Sequence, residues 1–240
     1  MSGAMPEPRP TGPEDTRRVD DVHTEGRWAQ PVERLHATGA RDKAFNLEGK
    51  RVAGPHQGFG RLWDRTFTIA LGDAITPEAL VADWKAHFGE FWPRGAVFHS
   101  TATIQAGDVT PLTTVGLSTG ILVMYEDDTS FSYITPEGHM FGAMITFSAE
   151  EDDASGTVAE IRMLLRPYDP VVQLMFGFGA RKEAEHWKQT LRNIAAKHGV
   201  TGVEPTERSV CLDRRFIWRN WTNVFRGVVI GNAVHALRRG

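Results

Sequence analysis

The sequence predicts an α+β domain in which a curved antiparallel sheet of about six to seven strands surrounds a long late helix, followed by extra C-terminal helices. Two observations support this fold class. Apolar residues alternate with period two over 61–71 and again across much of 96–165, which is the spacing of strands with one buried face. Residues 76–93 and 169–199 instead show helical spacing between start and stop signals.

Composition places the chain in the ordinary globular range and favours one large domain with tails. The 240 residues are 41% hydrophobic and 24% charged, and the net charge of -3 gives no overall electrostatic reason to expect nucleic acid as a partner. Cys211 is the single cysteine, which excludes an internal disulfide and favours a reducing, cytoplasmic compartment. The histidines and carboxylates show no metal-binding spacing, so we expect neither a metal nor a cofactor.

The first 60 residues are expected to lie outside the main fold. Residues 1–30 are rich in proline and charge and lack the apolar core of a secretory signal, which predicts a disordered tail. Residues 31–60 contain many glycines that break regular structure, and we expect an irregular arm lying over the domain.

The central domain is predicted over 61–199. A strand at 61–71 precedes a helix, for which Thr76 and Pro77 supply the N-cap and the first helical position. Turn-forming residues then divide 96–165 into about five short strands.

Asp169 and Pro170 repeat the cap-plus-proline signature and open the long closing helix, which Gly199 ends. Gly177 and Gly179 predict either a hinge in this helix or a close approach of the helix to the sheet. Residues 200–240 read as a linker followed by one or two helices, a C-terminal helical extension.

The order of strand, helix, antiparallel meander and long helix over about 60–199 resembles the START-like, Bet v 1-like (SRPBCC) helix-grip superfamily, and four motifs carry a more specific similarity to uncharacterised bacterial members. The motifs are Gln57-Gly58-Phe59-Gly60-Arg61-Leu62-Trp63, Phe91-Trp92-Pro93, Leu117-Ser118-Thr119-Gly120 and Thr135-Pro136-Glu137-Gly138-His139. The resemblance implies a deep hydrophobic cavity between the sheet and the closing helix, which members use for lipids, polyketides, sterols and other apolar molecules. Because members include carriers, sensors and cyclases, the fold leaves the activity open.

The resemblance gives a leading hypothesis, namely binding of a small hydrophobic or lipid-like ligand in an internal cavity by a carrier or sensor. The expected ligand-binding residues are Trp63, Phe67, Phe98, Ile121, Val123, Tyr133, Phe141, Ile145, Ile161, Met163, Leu174 and Phe178.

A second hypothesis is a cofactor-independent cyclase- or hydratase-like enzyme acting on a polyketide-like or other apolar substrate. His99, Tyr133 or His139 would transfer a proton within the same cavity. No catalytic motif is carried over from the superfamily.

A third hypothesis is a lipid-dependent adaptor that uses its basic, aromatic C-terminus, with a peripheral membrane or a protein contacting residues 214–230. The alternative is that these aromatic side chains pack on the domain while arginine stems cover them. The oligomeric state is left open.

Two further motifs have simple structural interpretations. The turn Pro136-Glu137-Gly138-His139 is explained by its proline and glycine, with His139 bonded to the backbone. Glu160 and Arg162 alternate with apolar residues of one strand, which predicts that they lie on its outer face and not in a ligand clamp.

Overall fold

A computed structural model describes residues 26–36, 44, 46–93, 96–99, 104–114 and 116–237. Within these ranges nine strands form one antiparallel sheet: β1 (Arg27–Trp28), β2 (Leu62–Gly72), β3 (Ala96–Phe98), β4 (Val109–Thr114), β5 (Leu117–Glu126), β6 (Ser130–Ile134), β7 (Phe141–Asp152), β8 (Gly156–Pro167) and β9 (Thr206–Asp213). The helices are α1 (Pro77–Ala86), α2 (Pro170–Lys197) and α3 (Val228–Leu237), with 3₁₀ segments at Pro55–Gln57, Phe88–Glu90 and Trp218–Arg226.

The sheet order is β3-β4-β5-β6-β7-β8-β2-β9, and β1 pairs with β5. The first long strand therefore returns to the last strand of the meander, with Phe67 on β2 opposite Ile161 on β8. The predicted α+β class is confirmed. The described sheet has more strands than the six to seven predicted, because β1 and β3 are too short to give a periodic signal and β9 was interpreted as a linker.

Helix α1 begins as the sequence predicts. The Thr76 side chain accepts a hydrogen bond from the Ala79 amide at 3.3 Å, and Pro77 occupies the first turn. Leu80 and Trp84 are fully buried, and the helix packs across β7. This packing closes one part of the inner face of the sheet.

Helix α2 is one continuous helix of 28 residues that packs on β2 and β8. Asp169 caps it by accepting a hydrogen bond from the Val172 amide at 2.9 Å. A Cβ added at Gly177 or Gly179 would meet nothing within 4 Å, so the predicted close approach of helix to sheet at these glycines is wrong. The hinge stays a prediction.

The C-terminal extension contains a strand where the sequence predicted a linker before the helices. Thr206–Asp213 is a strand that pairs antiparallel with β2, with Phe67 opposite Glu207, so this part of the predicted linker extends the sheet. The pairing satisfies backbone groups that an edge strand at β2 would leave open. Helices do follow, as predicted, at Trp218–Arg226 and Val228–Leu237.

The N-terminal segments fall partly outside the described residues. Residues 1–25 of the predicted disordered tail lie outside the described residues. Arg27–Trp28, in contrast, pairs with β5 and is ordered, contrary to the prediction. The described part of the predicted arm lies over the domain. Leu35 and Leu47 are buried there in a small cluster with Leu122 of β5.

Candidate functional site

A cleft of about 430 Å³ opens between α2 and the adjoining strands β2 and β9. Its volume is in the range of small-molecule sites. The principal residues around it are Trp63, Arg65, Phe176, Ala180, Lys188, Glu207 and Ser209. The cleft opens to solvent, and thus differs from the enclosed hollow that the sequence predicted.

One wall of the cleft is apolar. The rings of Trp63 and Phe176 lie 6.4 Å apart, edge to face, and Phe176 meets Phe141 in the same way at 5.3 Å. Ala180 and Ala184 follow Phe176 at helical spacing, and their small side chains leave the space that forms the cleft. The sequence folds this way because β2 turns Trp63 inward while α2 turns Phe176 toward it.

Arg65 forms the charged floor of the cleft. Its guanidinium side chain is only 4% exposed, pairs with Glu183 of α2 and bonds Glu207 of β9 at 2.9 Å. Lys188 pairs with the other oxygen of Glu207, also at 2.9 Å. Burial opposes the ionised form of Glu207, but the hydrogen bonds from Lys188 and Arg65 prevail and lower the pKa of Glu207. These two cations and two carboxylates form a network with no net charge.

Two residues that line the cleft, Trp63 and Arg65, each have a buried donor atom. Trp63 Nε1 and Arg65 Nε make no hydrogen bond within the described part of the chain. Buried N–H groups are seldom left unpaired, because each loses its bond to water. Trp84 Nε1 and Trp92 Nε1 share this feature, and Trp63 and Arg65 differ from them in lining an open cleft.

Half of the twelve predicted ligand-binding residues lie in a packed core. Phe67, Ile121, Val123, Tyr133, Ile161 and Met163 are each at most 4% exposed. Rings fill the space around them: Phe88 lies 5.2 Å from Tyr133 and 5.1 Å from Phe147 between ring centroids. Phe98, Phe141 and Ile145 are partly buried at the margin of this core. Of the predicted set, Trp63 is the residue that the structure places in the cleft wall.

Leu174 and Phe178 do not contribute to the interior, which corrects the prediction for both. They are 67% and 84% exposed. The reason is helical rotation: the buried side of α2 runs through Val172, Phe176 and Ala184, and positions 174 and 178 point away from it. The apolar run at 171–178 concealed this direction, because a run that is apolar all round has no periodic signal.

The three candidate catalytic residues lie apart. His99 is exposed beside the edge of the sheet and contacts Thr113 Oγ1 at 3.1 Å, while Tyr133 is buried on β6, three strands away. His139 lies in the turn between β6 and β7. The arrangement does not converge on one substrate atom.

His139 has the backbone role that the turn interpretation predicted. Its Nδ1 accepts a hydrogen bond from the Phe141 amide at 3.1 Å, and Gly138 before it has a φ of 80°, which glycine adopts readily. Burial lowers the pKa of His139 to about 4, although the backbone contact with Phe141 works in the other direction. The imidazole is therefore neutral at pH 7.

Tyr133 has a buried hydroxyl without a partner among the described residues. Burial, assisted by the charge of Asp108, raises the pKa of Tyr133 well above its usual range. The hydroxyl is thus a neutral donor surrounded by rings. It is poorly suited to give up its proton.

Arg162 lies on the outer face of β8, as its alternation predicted. It is exposed and pairs with Asp64 of β2 at 2.8 Å, through two donors of its guanidinium group. Its partner is therefore Asp64 and not Glu160. The pair lies on the solvent side of the sheet and has no contact with the cleft.

The charged residues of the cleft were not predicted from the sequence. The signal was visible at Arg65, a charge on the otherwise apolar face Trp63, Phe67, Ile69 and Leu71 of one strand. Glu183 and Glu207 gave no such signal, since they come from α2 and from a strand that was not predicted.

Metal and membrane features are absent from the described ranges. No group of three or more histidine, cysteine, aspartate or glutamate side chains there is placed to hold a metal ion. None of the helices described is both long and apolar enough to cross a bilayer.

The element order defines a helix-grip domain: a strand and short helix, an antiparallel meander that pairs back to the first strand, and a long closing helix. No protein-family model matches the chain, and no curated protein sequence matches it either.

Three solved structures are similar to the chain over 56–58% of its length. A START superfamily protein from Mycobacterium smegmatis is 17% identical, over 57% of this chain and 99% of its own, with a TM-score of 0.40. Ara h 8.0201 is 14% identical over 56% of this chain and 97% of its own, with a TM-score of 0.37.

The di-domain aromatase/cyclase StfQ of the steffimycin biosynthetic pathway is 13% identical over 58% of this chain, with a TM-score of 0.41. The chain spans about half (53%) of the length of StfQ.

Proposed function

We propose that this protein binds a small, largely apolar molecule that carries a hydrogen-bond acceptor, and that it does so in the cleft beneath α2. The observation that carries the proposal is an open cleft of about 430 Å³ lined by Trp63 and Arg65, whose buried Nε1 and Nε atoms have no hydrogen-bond partner among the described residues. Carrier or sensor is the role that fits a site with binding groups and no convergent catalytic set.

The apolar wall supplies affinity. Burial of roughly 200 Å² of ligand surface against Trp63, Phe176 and the two alanines contributes about 5 kcal/mol before the entropy of association is deducted. Aromatic walls suit flat or ring-containing ligands, because edge and face contacts add to the burial.

The polar floor determines which ligands are accepted. Arg65 and Lys188 are already neutralised by Glu183 and Glu207, so the network has no excess positive charge to attract a polyanion. A carbonyl, ether or single carboxylate oxygen fits the two free donors better than a phosphate does. A ligand in the cleft reaches these donors only after a small movement of the wall, because both donor atoms are shielded from water.

The test is native mass spectrometry of the purified full chain, followed by solvent extraction of whatever co-purifies. We expect one small organic molecule per chain, lost in Ala180→Phe, which fills the cleft. Ala196→Phe is the matched control, since Ala196 is an exposed alanine of the same helix. A molecule retained equally by Ala180→Phe would place the binding elsewhere and overturn the proposal.

The compartment is part of the same proposal. A reducing cytoplasm fits a chain with one half-buried, unpaired cysteine, Cys211. Fractionation that recovers the protein with secreted or periplasmic material would contradict this.

A further inference from the structure

Large apolar side chains project into solvent from the 3₁₀ helix Trp218–Arg226. Trp218 is 68% exposed, Phe225 67% and Trp221 49%. Trp221 and Phe225 lie edge to face at 5.9 Å, so they shield each other from water only in part. We name Trp218, Trp221 and Phe225 the aromatic patch. Exposed aromatic clusters of this kind are typical of interaction sites.

The segment that bears the aromatic patch is strongly basic. Residues 214–226 contain four arginines and no acidic residue. Arg215 is paired with Asp213, whereas Arg214, Arg219 and Arg226 are exposed. Tryptophan and phenylalanine interleaved with arginine match the interfacial zone of an anionic bilayer, where rings enter the headgroup layer and cations meet the lipid phosphates.

The patch is held firmly on the domain. Asn223 donates to the Tyr168 carbonyl oxygen and to the Gln57 carbonyl oxygen, each at 2.8 Å, and Asn220 donates to the Gly58 carbonyl oxygen at 2.9 Å. These bonds hold one side of the 3₁₀ helix on the domain, where Trp218 also meets the buried Phe59 edge to face at 5.4 Å between ring centroids, while the three rings of the patch stay 49–68% exposed. The patch is therefore presented by a fixed scaffold, with little ordering entropy to lose on binding.

A second set of exposed apolar residues lies on the neighbouring element. Helix α2 contacts the 3₁₀ helix and carries exposed Leu174, Met175 and Phe178. The basic residue Arg181 follows on α2 and is exposed as well. Two adjoining elements thus show the same combination of apolar side chains and positive charge.

We propose that the aromatic patch, together with Leu174, Met175 and Phe178, docks the protein on the surface of an anionic lipid bilayer. The charge of residues 214–226, which contain four arginines and no acidic residue, favours an anionic bilayer as the partner of this surface. A second copy of the chain would bring the same arginines face to face, with like-charge repulsion across the interface.

The test measures co-sedimentation of the full chain with phosphatidylcholine vesicles, with and without phosphatidylglycerol, at low and at high salt. We expect binding to the anionic vesicles that weakens as salt screens the charges. Failure to bind the anionic vesicles, or equal binding to the neutral ones, would overturn the proposal.

Two variants test the residues. Trp221→Ala combined with Phe225→Ala is expected to weaken partitioning by about tenfold or more, because two rings that would enter the bilayer are removed. Arg219→Glu is expected to weaken it by about fivefold or more, since each basic residue near an anionic surface contributes about 1 kcal/mol. Both changes lie at exposed positions, so folding is expected to be preserved and is checked by thermal unfolding.

Matched controls come from other exposed sites. Trp28→Ala removes a tryptophan that is 65% exposed on β1, and Arg208→Glu makes the same charge change on β9. Both are expected to bind vesicles like the unchanged protein, and an equal loss in them would contradict the proposal.

A dimer in analytical ultracentrifugation that Trp221→Ala dissociates would assign the patch to a second copy instead. Ala180→Phe should keep vesicle binding, so this test stands apart from ligand binding in the cleft.

Discussion

Arg65 on β2 donates a hydrogen bond to Glu207 on β9 at 2.9 Å, directly below the cleft that we propose as the ligand site. The same guanidinium group pairs with Glu183 on α2. One buried arginine thereby links the central sheet, the added strand and the closing helix. The floor of the cleft is fixed by this link.

Removal of Arg65 should destabilise the fold strongly. In Arg65→Leu the carboxylates of Glu183 and Glu207 lose their shared cation in a partly buried site. Breaking a buried pair from one side costs about 3 kcal/mol. The free energy of unfolding in urea measures the loss, and Arg208→Leu on the exposed face of β9 is the control. A loss below about 1 kcal/mol would mean that solvent compensates the pair as at a surface.

Tyr133 and Tyr125 allow a comparison of how much a tyrosine hydroxyl contributes to stability without and with a hydrogen-bond partner. Tyr133 Oη is buried without a partner within the described residues, whereas Tyr125 donates to Asp127 at 2.6 Å. Tyr133→Phe should raise the free energy of unfolding by about 1 kcal/mol, and Tyr125→Phe should lower it by about 1 kcal/mol. Chemical denaturation of both variants measures these changes in the free energy of unfolding. A loss of stability in Tyr133→Phe would show that its hydroxyl has a partner in solution.

His139 should make stability depend on pH in the acidic range. Its pKa is about 4 in the folded protein against an ordinary value of 6.5, so the unfolded chain takes up a proton that the folded chain refuses between these values. The contribution is complete above pH 6.5 and is lost as pH falls toward 4. Between pH 6.5 and pH 5 the loss is about 2 kcal/mol for this residue.

The check is urea unfolding at several pH values for the unchanged protein and for His139→Asn, whose amide oxygen replaces the Nδ1 acceptor. The variant should show a shallower fall with acid. Some fall will persist, because burial also lowers the pKa of His186 to about 4. Identical slopes in both proteins would refute the assignment to His139.

Glycine substitutions test the prediction of a hinge in α2. Gly177→Ala or Gly179→Ala should stabilise the protein by about 0.5–1 kcal/mol, because both lie within a helix with open space around them. Gly120→Ala should destabilise it, since the new Cβ would lie 2.7 Å from the Thr110 carbonyl oxygen. Hydrogen exchange over residues 174–181 provides the dynamic readout. Uniformly strong protection there would argue against a hinge.

The fold could largely be predicted from sequence, because its signals are local. Thr76-Pro77 and Asp169-Pro170 mark the helix starts, and alternation on β2 and β8 identifies their inner faces. The strand at Thr206–Asp213 was missed because mostly polar residues on an exposed edge give no apolar alternation. Its place in the sheet follows from pairing with β2, which is a nonlocal interaction.

The site could be predicted only in part. Trp63 was found because it faces inward on a clear strand. The charged floor brings together residues 65, 183 and 207, and no short-range pattern connects them. Leu174 and Phe178 were assigned to the wrong side because sequence composition gives hydrophobicity without direction.

The most direct measurement of the central claim is equilibrium titration of the full chain with anilinonaphthalene sulfonate, an aromatic fluorophore whose single sulfonate group supplies acceptor oxygens. We predict one saturable site in the unchanged protein and in Ala196→Phe, and at least about tenfold weaker binding in Ala180→Phe. Ser209→Phe, which narrows the cleft from the β9 side, should weaken binding in the same way. Equal affinity in all four proteins, each with an unchanged unfolding midpoint, would contradict a ligand site beneath α2.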